Sequence, residues 1–134
     1  MANSKFPIDI ETIPDEDILY CRVHLSNIDK ENGKIKPSAF DPTPFENPDG
    51  LSVNWSKYSN AEQTKQEVTL FGKKAENYSV ISFITLDVRN ISLEVIHSPT
   101  KNQAHSLILN IPPRKQNDAR ITMLLRDMCK CEIR

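Results

Sequence analysis

The sequence predicts a small α+β domain with a mixed or largely antiparallel sheet and two helices. Three observations carry this. Short segments with alternating apolar and polar positions recur along the chain, separated by Pro, Gly and Asn turns. Helical spacing of apolar residues appears after residue 59 and again at the C-terminal end. The order of strand, loop, strand, helix, three strands, helix suits helices packed beside one sheet, not a repeated βαβ winding.

The elements follow in order. Residues 1–17 read as an acidic arm in which Pro7 and Pro14 prevent a continuous helix, and residues 18–134 read as the α+β domain. Ile8, Ile10 and Ile13 are expected to pack part of the arm on the body. Ile18 to Leu25 is the first strand, with Leu19, Cys21, Val23 and Leu25 on one face and Tyr20, Arg22 and His24 on the other. From Asn27 to Gly50 the chain is irregular, with Pro37, Pro42, Pro44 and Pro48 and the turn pairs Asn32-Gly33 and Asp49-Gly50. A loop of this length is expected to bind or cover something.

Leu51 to Trp55 is the next strand, with Ser52 and Asn54 facing away from Leu51, Val53 and Trp55. Ser59 and Glu62 have the spacing of a capping box and open a helix expected to stop at Gly72. Val80–Ile84, Leu93–Ile96 and Ser106–Ile111 read as strands, with a helical turn over 85–90. Ile121, Leu124, Leu125 and Met128 mark a closing helix from about Asn117 to Lys130.

Composition narrows the function. The chain has 134 residues, 38% hydrophobic and 26% charged, enough apolar content for a core without disulfides or metal. Its formal net charge of -1 argues against a nucleic-acid partner, because cationic side chains on phosphates supply most of that affinity. No segment approaches the roughly 20 apolar residues of a membrane span, so no membrane partner is expected. Asp9, Glu11, Asp15, Glu16 and Asp17 replace the basic and apolar stretches of a leader, and a cytoplasmic location is expected.

Of the three cysteines, Cys21 reads as a small buried hydrophobe. Cys129 and Cys131, if helical, point away from each other, and no metal site is expected. Phosphate-cradling glycine loops and the G-x-S-x-G nucleophile pattern are both absent.

The candidate functional residues are polar groups between apolar anchors. Arg22, His24, Ser52 and Glu62 are the candidates for chemistry, and Tyr20, Ser38, Tyr58 and His105 for ligand contact. Phe40, Phe45 and Trp55 are the candidates for contact with a protein partner, since aromatics are favoured at interface hot spots; the competing reading is core packing, with Phe40 and Phe45 pinning the loop and Trp55 buried beside Leu51 and Val53.

Two resemblances bear on these. Leu19-Tyr-Cys-Arg-Val23, Pro37-Ser-Ala-Phe40, Gly50-Leu-Ser-Val53, Leu93 to Pro99 and Gln103-Ala-His-Ser106 resemble a group of small uncharacterised bacterial proteins. That resemblance implies a bacterial or phage-related source and one compact domain. More distantly, the order Arg22, Ser52, Glu62 is similar to the Arg–Glu–Ser type of NAD-consuming toxin with an ADP-ribosyltransferase-like fold. It implies an arginine on the pyrophosphate, a hydroxyl on the ribose and a carboxylate beside an oxocarbenium-like centre. The glycine-rich stretch of those toxins is missing here.

Two functions are therefore expected to compete. The first is an interaction or accessory module with an unidentified protein partner, no cofactor and no catalysis of its own. The second is a protein that binds or processes an NAD-like nucleotide through Arg22, Ser52 and Glu62. Convergence of the Tyr20–Arg22–His24 face with Ser52 and Glu62 in one cleft would favour the second. Exposed Phe40, Phe45 or Trp55 on a flat surface would favour the first.

Overall fold

The computed structural model describes residues 9–40, 50–100, 102–112 and 120–133. Among the described residues six strands form one antiparallel sheet: β1 (Ile18–His24), β2 (Leu51–Trp55), β3 (Tyr78–Ile84), β4 (Glu94–His97), β5 (His105–Leu109) and β6 (Lys130–Ile133). The order across the sheet is β4-β5-β2-β1-β3-β6, so β1 lies between β2 and β3. Three short helices accompany it: α1 (Ala61–Gln66), α2 (Thr85–Asn90) and α3 (Arg120–Met128). The expected α+β class is what the chain adopts.

Strand alternation sorts the residues into two faces. Leu19, Cys21, Val23, Leu51, Val53, Trp55, Ile81, Phe83, Val95 and Ile108 turn to the principal core. Ile13, Phe40, Val88 and Leu125 close that core from the N-terminal segment, a 3-10 turn at Pro37–Phe40, α2 and α3. Tyr20, Arg22, Ser52, Asn54 and His105 fall on the other face by register, with Tyr20 opposite Asn54 and Asn54 opposite His105. Part of this second face is covered by α1 and by the 3-10 turn Glu67–Phe71 that continues it, where Thr64 and Val68 are buried.

The N-terminal segment is tied to the body. Ile13 is buried, the Glu11 N–H donates to His97 Nδ1 at 3.0 Å, and the Thr85 and Leu86 N–H groups donate to the carbonyls of Asp17 and Asp15. Ile10 is exposed instead of packed.

Several boundaries differ from expectation. Asn60, not Ser59, caps α1: its Oδ1 accepts the Gln63 N–H at 2.8 Å. The helix then tightens to 3-10 geometry at Glu67 and ends at Gly72, whose φ of 75° is a left-handed cap. The closing helix stops at Met128 because Lys130–Ile133 pairs with β3 as an edge strand. The Ser82 hydroxyl reinforces that pairing by donating to Glu132 Oε2 at 2.7 Å. Cys129 and Cys131 therefore leave helical geometry and line one cavity together, rather than pointing apart.

Candidate functional site

The second face of the sheet carries a cleft of about 370 Å³, within the range of small-molecule sites. Tyr20 and Arg22 reach it from β1, Ser52 from β2 and His105 from β5, while Glu67 and Lys73 come from the segment after α1. The register that sets every second residue on this face brings the three strands together here.

The floor is a fixed polar network. Arg22 Nη1 donates to the Thr64 carbonyl at 2.9 Å and to Glu67 Oε1 at 3.0 Å. Asn54 Nδ2 donates to the same Oε1 at 3.1 Å and to Thr64 Oγ1 at 3.2 Å. Asn102 Nδ2 donates to Glu67 Oε2 at 3.0 Å. Both carboxylate oxygens of Glu67 are thus engaged. The Arg22 and Glu67 side chains are 24% and 19% exposed, so water screens the pair less than a surface one.

His105 is buried and held at both ring nitrogens. Nδ1 lies 2.7 Å from the Ser98 carbonyl, which can only accept, so the neutral ring carries its proton on Nδ1. Nε2 then presents its lone pair to Ser52 Oγ at 3.3 Å. The serine hydroxyl is polarised toward the ring and lies in the cleft wall. At the rim Phe71 is 55% exposed and Lys73 is exposed.

The remaining candidates lie elsewhere. His24 is exposed at the end of β1, where Nδ1 accepts the Ser26 N–H and caps a short 3-10 turn, and its ring meets Tyr78 edge-on. Glu62 is exposed and bonded by Gln66 Nε2 at 3.1 Å. The glutamate of the cleft is Glu67, because Thr64 and Glu67 share the inward side of the turn while Glu62 faces outward. Ser38 belongs to the 3-10 turn at Pro37–Phe40, in the layer on the opposite face.

Tyr58 also leaves the cleft. Its ring stacks on His97 and meets Trp55 edge-on, and its hydroxyl donates to the Glu11 carboxylate. Lys57 Nζ donates to the same carboxylate, and this bond, then that of Tyr58, holds the Glu11 pKa below its ordinary value.

The aromatic partner surface is corrected outright for two residues. Phe40 and Trp55 are 0% and 1% exposed, with Phe40 against Phe83 and the Trp55 indole N–H donating to Asp17 Oδ2 at 2.8 Å. Phe45 lies outside the described residues.

Strand parity had marked Asn54, and the spacing from Thr64 could have marked Glu67. Nothing periodic marks Asn102 or Lys73, which loops bring to the cleft. Among the described residues no three His, Cys, Asp or Glu side chains are grouped to hold a metal ion. No helix among them is long and apolar enough to cross a membrane. Comparison of the chain with family models, with curated proteins and with solved structures gave no match.

Proposed function

We propose that the cleft binds a nucleotide of the NAD type and that the chain works as a binding module. The observation that carries this reading is the meeting of Arg22, Ser52 and His105, from three strands, in one polar cleft. The burial of Phe40 and Trp55 removes the main support for a flat aromatic docking surface.

The roles follow from the donors available. Arg22 Nη1 is committed to Thr64 and Glu67, which leaves the other guanidinium donors and Lys73 for phosphate. The hydroxyls of Tyr20 and Ser52 suit a ribose, and the exposed Phe71 ring offers a face for a base. A cleft of about 370 Å³ holds one half of a dinucleotide and leaves the other on the rim. Glu67 engages both oxygens with Arg22, Asn54 and Asn102 and shares its charge with the guanidinium, which makes it the group that positions the arginine. Binding without cleavage is the reading that this network favours.

Thermal shift of the purified protein with NAD, ADP-ribose and ATP tests it. Ligand at a hundred times its dissociation constant stabilises a fold by about 2.7 kcal/mol, a rise of several degrees. NAD or ADP-ribose should give that rise, Ser52→Ala and Lys73→Gln should reduce it, and no free nicotinamide should accumulate. The absence of any shift with all three nucleotides would sink the proposal.

A smaller observation keeps a protein partner in view. Leu70 is 79% exposed beside Phe71, which lines the cleft and is 55% exposed. A partner seated there would compete with nucleotide, and Leu70→Ser would weaken the partner alone.

A further inference from the structure

A second cavity, of about 310 Å³, opens on the opposite face of the sheet and shares no residue with the cleft. It lies between β3, β6, the end of α3 and the antiparallel bridge that joins Ile28 to Ile35. Ile28, Ile35 and Ile81 form its apolar wall. Its ionic groups are Lys34, Arg126 and Asp127, two cations against one carboxylate. Arg126 Nε donates to Asp127 Oδ1 at 3.0 Å, and Lys34 is exposed.

Ser79 is the unexpected member of the wall. It alternates with Ile81 and Phe83 on the core face of β3, where the pattern calls for an apolar side chain. It is 1% exposed, and its hydroxyl has no hydrogen-bond partner among the described residues. An unpaired hydroxyl in an apolar interior is unfavourable, and natural interiors pair nearly all such groups. The Cys129 thiol, by contrast, is satisfied: it donates to the Arg126 carbonyl at 3.2 Å. Burial raises its pKa, so it stays protonated and inert.

We propose that this cavity is a second ligand site, for a small amphipathic carboxylate whose apolar end carries one hydrogen-bonding group. The hydrocarbon body lies on the three isoleucines, the far polar group pairs with the Ser79 hydroxyl, and the carboxylate meets Lys34 and Arg126. Nothing in this assignment depends on the nucleotide cleft.

Titration of the ¹⁵N-labelled protein with para-hydroxyphenylpropionate and with phenylpropionate tests it. The two probes share a carboxylate and a ring and differ only in the phenol. Amide signals of Ser79, Ile81 and Cys131 should move, with those of Arg22 and Ser52 unchanged. The phenol should bind about five- to tenfold more tightly, the worth of one net hydrogen bond. Ser79→Ala should abolish that preference, and the exposed substitution Lys34→Gln should weaken both acids alike. The proposal is overturned by the absence of shifts around Ser79 at millimolar probe. It is equally overturned by a preference that survives in Ser79→Ala, or by equal binding of both probes to the wild type, as when a water satisfies the hydroxyl.

Discussion

Glu11 shows how one side chain can hold a segment in place. Its carboxylate accepts from Lys57 and Tyr58, while its backbone N–H donates to His97 Nδ1. His97 in turn faces the Gln103 carbonyl through Nε2 at 2.8 Å, so its two nitrogens bind two separate stretches of chain. The Glu11 pKa is lowered from 4.5 by the Lys57 and Tyr58 bonds. A depressed carboxylate stabilises the fold fully above its ordinary pKa, and that share disappears as pH falls through the depressed value. Acid unfolding followed by circular dichroism should therefore show part of the stability lost below about pH 4.5. Glu11→Gln should lack that part while matching the wild type in the remainder; an unchanged acid limb would show that the cluster contributes nothing. Lys57, raised by the Glu11 bond, mirrors it at the alkaline end: its share is complete below 10.5 and is lost as pH rises through the raised value.

The elements depend on two backbone details that residue patterns announce unevenly. Gly50 precedes β2 with φ of 128°, and a Cβ there would lie 2.8 Å from the Ile108 carbonyl oxygen and 2.8 Å from Leu109 Cδ2. The obstruction on one side is backbone of β5, which cannot rotate away as a side-chain tip can. Gly50→Ala should cost about 2–3 kcal/mol in urea unfolding, from strain plus displacement of the β2–β5 ladder. Stability within half a kcal/mol of wild type would mean that the ladder opens freely. Asp49, the other half of the expected turn pair, lies outside the described residues, and the close approach of β5 to Gly50 has no signature in a local window. The capping of α1 shows the same limit. Ser59-x-x-Glu62 and Asn60 compete to open the helix, and the asparagine does so by accepting the Gln63 N–H. Glu62 faces outward from this helix start, and Glu67, on the same side as Thr64, is the glutamate that enters the cleft.

At the scale of the molecule the class, the sheet and the strand faces were legible, because alternation fixes which residues share a side. That is why Tyr20, Arg22 and Ser52 share a face and meet in the cleft, while His105, outside the strand expected over 106–111, joins them because β5 begins one residue earlier. What alternation does not fix is which strands become neighbours, so β6 and the contribution of Asn102 stayed hidden. An aromatic between prolines is expected to pin its loop to the body, and Phe40 does so from inside the core. The two proposed sites lie back to back across β1 and β3: Arg22 pairs with Val80, and the next pair, Val23 and Ser79, faces the other way.

The strand order has a further consequence, which concerns time. Only β4 and β5 form a sheet pair across a short stretch of chain; β1 must find β2 beyond the irregular segment and β3 farther still. Bringing distant stretches together costs chain entropy before any contact rewards it, so such topologies fold over milliseconds to seconds, not microseconds. Stopped-flow refolding monitored by Trp55, which is buried where β2 meets β1, should report a rate in that range. Microsecond refolding would mean that the central pairings are already present in the unfolded chain. The β4–β5 hairpin can assemble early, but the cleft waits for β1, because Arg22 and Ser52 have no common wall until the middle of the sheet has closed.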